Sequence, residues 1–291
     1  MTPLTCASSA GPALTCPGAD ASSYPELVEQ VTGGAFGPFP ETLRISSAFI
    51  THQAVRHDGR HTGYRNEVLS LRLAGAVGSC AVEPGSLPGD VVAECAGADA
   101  RRLLGHRLLP VRVAALDAYL MHVRPHGPAS GAVDFPLPGG SSLLRSRARA
   151  RAVVGLLPLR PGSTVLVVGV VNSLLEALRG RGLAYVPCDF KGGTTEWSEP
   201  VTTDAVEALE SCDAVLASGM TLGNGTFEDL RIRAARQVKP LVMFAQTGSA
   251  ILPRLLGAGV TAVCAEPYPF FWLDGGPGSV HLYGGRAGGT P

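Results

Sequence analysis

The chain has 291 residues, enough for one large domain or two modest ones, and its 45% hydrophobic content allows a sizeable packed core. Only 16% of residues are charged, and the 24 basic side chains are balanced by 24 acidic ones, so there is no basic field to hold a nucleic-acid backbone. The seven cysteines are dispersed with no CxxC pair. That pattern argues against a disulfide framework or a clustered zinc site and suits a reducing compartment, so the expected location is the cytoplasm. The N-terminus lacks a basic start and a long apolar run, and no stretch reaches the roughly 18 apolar residues of a membrane span, so no signal peptide and no membrane association are expected.

In chain order, residues 1–22 read as a loose tail and residues 24–33 (YPELVEQVTG) as a short helix ending near Gly33. Residues 46–55 and 62–74 read as a hairpin whose turn carries Asp58 and Gly59, a pair suited to the positive φ values of a type I′ turn. Leu69, Leu71 and Leu73 alternate with Ser70 and Arg72, the pattern of a strand buried on one face, and residues 76–82 offer a third strand. Short helical stretches at 88–96 and 99–104 precede a stronger one at 110–122, with Val111, Ala115, Ala118 and Tyr119 near one face and Pro125 and Pro128 beyond its end. These elements compose a smaller α+β domain, residues 1–126. Residues 127–140 read as a linker.

Ser141 or Ser142 caps a helix carrying Arg145, Arg147, Arg149 and Arg151, which at a spacing of two cannot share one stripe and read as a solvated face. From Pro161 onward, short apolar strands (165–171, 184–188, 214–218, 240–245, 262–265) alternate with helices (174–181, 205–211, 226–237, 250–256). That alternation predicts an α/β fold in which residues 141–291 form a Rossmann-like parallel sheet covered on both faces.

Ligands of such sheets bind beyond the C-terminal strand ends, which directs attention to the residues there. Gly169 and Asn172 follow the first strand, but a single glycine is not a GxGxxG motif. Asp189 ends the second strand, about 20 residues after Gly169, where nucleotide-binding units place a ribose carboxylate. The segment Ser218 to Thr226 (SGMTLGNGT) is rich in glycine and hydroxyl or amide groups, and is expected to form an anion-binding loop using Ser218, Thr221, Gly223, Asn224 and Thr226. Gln246 and Ser249 repeat the arrangement after the next strand, and Glu266 follows the last. In the hairpin, His52, Arg56, His57, Arg65, Asn66 and Glu67 form a polar set expected to close over the strand ends, with the Arg65 guanidinium gripping a carboxylate by two parallel bonds. His122 and His126 are four apart at a helix end, but Pro125 interrupts their shared face.

The run from Ala214 to Thr226, with Gln246 to Ser249, Pro253 and residues 257–260, resembles the bacterial heavy-metal chelation family, in which an enolase-N-terminal-like domain precedes a Rossmann-like domain. Residues 114–118 (AALDA) resemble a helix of its first domain. Gln246 and Thr247 stand where that family has Gly-Pro, and Asp117 where it usually has Asn. The resemblance implies a small-molecule-handling protein with an anionic, metal-chelating or amino-acid-like ligand in the cleft between two domains.

Two other readings stay open. Gly169 and Asp189 allow an S-adenosylmethionine-using transferase or cyclase, in which positioning an already activated sulfonium would suffice. No GxSxG, HExxH or P-loop motif supplies another mechanism. The aromatics in residues 267–272 (PYPFFW) allow an assembly subunit, a homodimer included, with a vestigial pocket.

Overall fold

The computed structural model describes residues 20–56 and 63–284. The expected tail up to residue 19, the turn with Asp58 and Gly59, and His57 and His61 lie outside the described residues.

Helix α1 (Tyr24–Thr32) starts at Ser23, whose hydroxyl accepts the Glu26 N–H, and ends at Gly33. Strands β1 (Ile45–Val55), β2 (Tyr64–Leu73) and β3 (Ala76–Val82) form an antiparallel sheet in the order β1-β2-β3. Leu69, Leu71 and Leu73 are buried, as their alternation requires, and Arg72 is exposed. Ser70 is buried as well, because its hydroxyl pairs with that of Ser79 at 2.9 Å on the neighbouring strand. Two short helices, α2 (Val91–Cys95) and α3 (Ala100–Leu104), lead to α4 (Leu109–Val123). Helix α4 is buried at Val111 and continuously from Val113 to Leu120, a much wider face than one amphipathic stripe. Its apolar sequence follows from packing against β2 and β3 on one side and the second sheet's elements on another.

The second sheet has seven strands. Five are parallel and short: β5 (Thr164–Val168), β6 (Ala184–Cys188), β7 (Ala214–Ser218), β8 (Leu241–Ala245) and β9 (Ala262–Ala265). They lie in the order β6-β5-β7-β8-β9, the 2-1-3-4-5 order of a doubly wound sheet. Their unbroken apolar runs reflect cover on both faces: Ala214 and Leu216 enter one buried cluster, Val215 and Ala217 the other. The crossovers are α6 (Asn172–Gly180), α7 (Ala205–Glu210), α8 (Met220–Gly223) with α9 (Phe227–Arg236), and a 3₁₀ turn at Leu252–Leu255 where a longer helix was expected.

Two strands were not foreseen. β4 (Val133–Leu137), inside the expected linker, and β10 (Gly278–Gly284) extend the sheet antiparallel, with β10 lying between β4 and β9. β4 is an edge strand, which is why Pro136 can sit in it. Helix α5 (Ser142–Gly155) begins at Ser141, whose hydroxyl accepts the Leu144 N–H. Its arginines divide: Arg147 and Arg151 are exposed, but Arg145 and Arg149, four apart, point inward and are buried, which corrects the reading of a wholly solvated face.

Candidate functional site

In a doubly wound sheet, the strand order reverses between the first and third strands, and the loops leaving their C-terminal ends part to make a crevice. Here that point lies between β5 and β7. Gly169 directly follows β5 with φ 88°, and a Cβ there would stand 2.8 Å from Ser218 Cβ at the end of β7, so only glycine suits the position. A cavity of about 280 Å³ opens at this point. Its floor is made by the strand ends, at Gly169, Ser218 and Phe244, and its opposite wall by β2 and β3, at Arg65 to Val68 and Ala81 to Glu83. Of the hairpin's polar set, Arg65, Asn66 and Glu67 line the cavity, His52 and Arg56 do not, and His57 lies outside the described residues.

Arg149 provides the centre of charge in the cavity. Its side chain is 6% exposed, and its Nε donates to Glu266 Oε1 at 2.5 Å. Glu266 Oε2 accepts from Gln246 Nε2 at 3.1 Å, and Gln246 Oε1 accepts from Trp272 Nε1 at 3.2 Å. This chain of bonds fixes the Gln246 amide orientation and holds the guanidinium, whose carbon lies 5.1 Å from the Phe244 ring centre. Among the described residues, the terminal nitrogens of Arg149 make no hydrogen bond, and the residue lines the cavity. Arg145, one turn earlier, binds the Phe271 carbonyl, the Asp274 carbonyl at 2.6 Å and Asp274 Oδ1 at 2.9 Å, pinning the segment that brings Phe271 and Trp272 to the site. Sequence reasoning missed both arginines. The i,i+4 spacing was visible, but the partner Glu266 lies 117 residues away.

Of the residues singled out in the sequence, Gly169, Asn172, Asp189, Ser218, Gln246 and Arg65 meet at this cavity, and Glu266 stands behind it on Arg149. Asn172 keeps an enclosed amide oxygen without a partner. Asp189 accepts the Val170 N–H at 3.4 Å and the Lys191 N–H at 3.1 Å. Lys191 also reaches Glu83 at 2.7 Å, an exposed pair across the cleft between the end of β6 and the end of β3.

Thr221, Gly223, Asn224, Thr226 and Ser249 do not line the cavity. The expected anion loop is partly the helix α8, in which Thr221 Oγ1 donates to the Ser218 carbonyl. Asn224 Oδ1 accepts from both the N–H and the hydroxyl of Thr226. A Cβ on Gly223 would lie 2.5 Å from Cys80 Sγ, so that glycine serves the contact between α8 and β3. Ser249 is buried. The aromatic segment after β9 packs inward: Phe270 is buried, and Tyr268 meets Phe49 of β1 edge-on at 5.4 Å. The exposed aromatics behind the assembly reading are therefore largely spent on internal packing.

Fold and site together define a doubly wound α/β protein with a charged crevice at its switch point, walled by an antiparallel three-stranded sheet. Residues 152–265 match the model of the DUF364 family, described as "Putative heavy-metal chelation", and so bear out the resemblance seen in the sequence. A crystal structure of a DUF364-family protein of unknown function from Desulfitobacterium hafniense superposes with a TM-score of 0.59 at 14% identity, over 90% of this chain and 100% of that one. One from Pyrococcus horikoshii gives 0.50 at 12%, over 88% and 96%. At such identities the likeness concerns the fold alone. No curated protein matches the chain.

The family's description raises a metal, and the donor set answers it. Among the described residues, no group of three or more His, Cys, Asp or Glu side chains is placed to hold an ion. The cavity lining offers the carboxylates of Glu67, Glu83 and Asp189 but neither thiol nor imidazole. Soft heavy metals favour those absent ligands. Burial pushes the thiols of Cys80 and Cys264 well above their usual range, away from the thiolate form that binds metal. Among the described residues, the cavity lining does not fit a heavy metal held directly by protein side chains. No helix among the described residues is long and apolar enough to cross a membrane.

Proposed function

We propose that the chain binds a small, anionic, amino-acid-like ligand in the crevice between β2–β3 and the ends of β5, β7 and β8. The observation that carries this reading is Arg149: a buried guanidinium at the switch point, held through Nε by Glu266, with its remaining donors unused in the cavity. A carboxylate matches that fork, and such charge-assisted bonds are the strong ones. The carboxylates of Glu67 and Asp189 suit an amino group on the same ligand. Arg65, exposed on the facing wall, is placed to close on the anion. A metal carried here would arrive as a chelate with the ligand.

An S-adenosylmethionine-using enzyme is less well supported. Gly169 is accounted for by its contact with Ser218, and Asp189 is engaged by two backbone N–H groups. The cavity of about 280 Å³ sits just below the roughly 300–1,000 Å³ typical of sites for drug-sized molecules, which suits an amino acid better than a nucleoside cofactor. The test is native mass spectrometry of the freshly purified chain beside Arg149→Lys, a change that keeps the charge on Glu266 but removes the fork. The expected result is a small acidic molecule on the wild type, lost from the variant. A co-purified adenosyl compound would overturn the amino-acid reading. So would a wild type that neither carries a small molecule nor binds any member of a panel of amino acids and dicarboxylates.

A further inference from the structure

A second cavity lies on the other side of α8 from the crevice, between α1, the start of α4 and the turn joining α8 to α9. Its volume of about 450 Å³ falls within the range of small-molecule sites. Val28, Leu104, Leu109, Leu222 and Phe227 make most of its wall. Arg112 interrupts that wall, and among the described residues its guanidinium makes no hydrogen bond or ion pair; its Nε and the nearby Tyr24 Oη are enclosed and unpaired there. The two carboxylates in the lining do not relieve them. Glu228 takes the Tyr24 N–H at 2.7 Å on one oxygen and Arg231 at 2.6 Å on the other, and Glu29 is exposed. Enclosed polar groups are nearly always paired, and leaving one unpaired costs about 1–3 kcal/mol, more for a charged group. An arginine that lines an apolar cavity with its terminal donors unused is placed to take an anion.

The geometry points to this cavity as a second binding site, for a small monocarboxylate with an apolar body. Its carboxylate would accept from the terminal nitrogens of Arg112, and its hydrocarbon part would fill the space between Leu104, Leu109, Leu222 and Phe227. The glycine-rich segment of residues 218–226 gains a role here that the crevice does not give it. Gly225 opens onto this cavity, while Met220, at the other end of α8, lines the crevice.

Phenylacetate is a suitable probe, with phenylacetamide as its uncharged counterpart, titrated into the full chain by calorimetry. Saturable binding of phenylacetate is expected, with the amide weaker by at least about tenfold. Arg112→Met, which keeps the apolar stem, should weaken binding by about tenfold. Val28→Trp, entering from the half-exposed rim of α1, should block it by filling the space, and Arg149→Lys should leave it unchanged. Urea midpoints near that of the wild type would show that the variants are folded, and Val28→Trp tests the site even if Arg112→Met is not. The inference is overturned by absence of saturation, by full affinity in Arg112→Met or Val28→Trp, or by loss in Arg149→Lys, which would move the probe to the crevice.

Discussion

Asparagine in place of Asp117 probes the joint between the two sheets. Asp117 lies on α4, fully buried, and its carboxylate accepts the Ser79 N–H of β3 at 2.9 Å and the Ala250 N–H beyond β8 at 2.7 Å. Burial pushes its pKa from 3.8 up to about 7, against the pull of the N–H groups of Ala250, Ser79 and Ile251. A carboxyl group with a raised folded-state pKa gives its full stability below about pH 4 and loses it as the pH rises to about 7. Across that interval the unfolded chain has released the proton and the folded chain retains it. Between pH 5 and pH 8 the linkage comes to about 2.5 kcal/mol of lost stability. Asparagine mimics the protonated acid in shape and charge and cannot titrate, so Asp117→Asn should lack this loss. With a urea slope of about 2–3 kcal/mol per M, the midpoint of the variant relative to the wild type should rise by about 1 M from pH 5 to pH 8. All other titrating groups are common to both chains and cancel. Parallel curves of midpoint against pH would refute the argument and leave Asp117 charged throughout, held by its N–H donors.

Gly223→Val should lower stability by about 1–3 kcal/mol through its clash with Cys80, with ligand binding intact in whatever fraction folds; equal melting temperatures would count against that packing. His126, which shares a hydrogen bond of 2.6 Å with the Tyr283 hydroxyl, is held down to a pKa of about 3 by burial and by the neighbouring His281 and Arg254. Because the unfolded chain takes up that proton first, stability should fall by up to about 5 kcal/mol as the pH drops from about 6.5 to about 3. His126→Phe should flatten that part of the curve, and an unchanged acid limb would disprove the assignment. A fragment of residues 141–291 lacks β4 and uncovers the sheet face that packs with α4, so it should fail to show a cooperative melt by circular dichroism; a sharp transition would show that the second sheet stands alone.

The parallel strands were readable because each is a short apolar run between helices, a pattern imposed by cover on both faces. The cap at Ser141 and the glycine after α1 were readable because their causes are local. β4 and β10 were not. VDFPL holds an aspartate and a proline, and GSVHLYG starts and ends with glycine; β4 becomes a strand only by pairing with chain about 145 residues away, and β10 by filling the place between it and β9. Helix α8 was hidden by the low helix propensity of Gly223 and of Gly219 just before it, since their close approach to Cys80 and Thr247 decides the local shape. At the site, residues at strand ends could be named from topology alone, which is how Gly169, Asp189, Ser218 and Gln246 were reached. Arg149 could not, because an inward arginine and an outward one look alike until the buried glutamate facing it is known.

The position of β10 has a consequence for how the chain is made. The strand inserted between β4 and β9 is the last described element, ending at Gly284, while its partner β4 leaves the ribosome about 145 residues earlier. During synthesis the parallel strands can assemble in order, but β4 has nothing to pair with, and β9 keeps one edge bare, until residues 278–284 have emerged. Unpaired strand edges invite pairing with other chains. β4 therefore waits about 140 residues for its partner and β9 about 13, and a product cut short between residues 265 and 278 would leave both unpaired on that side.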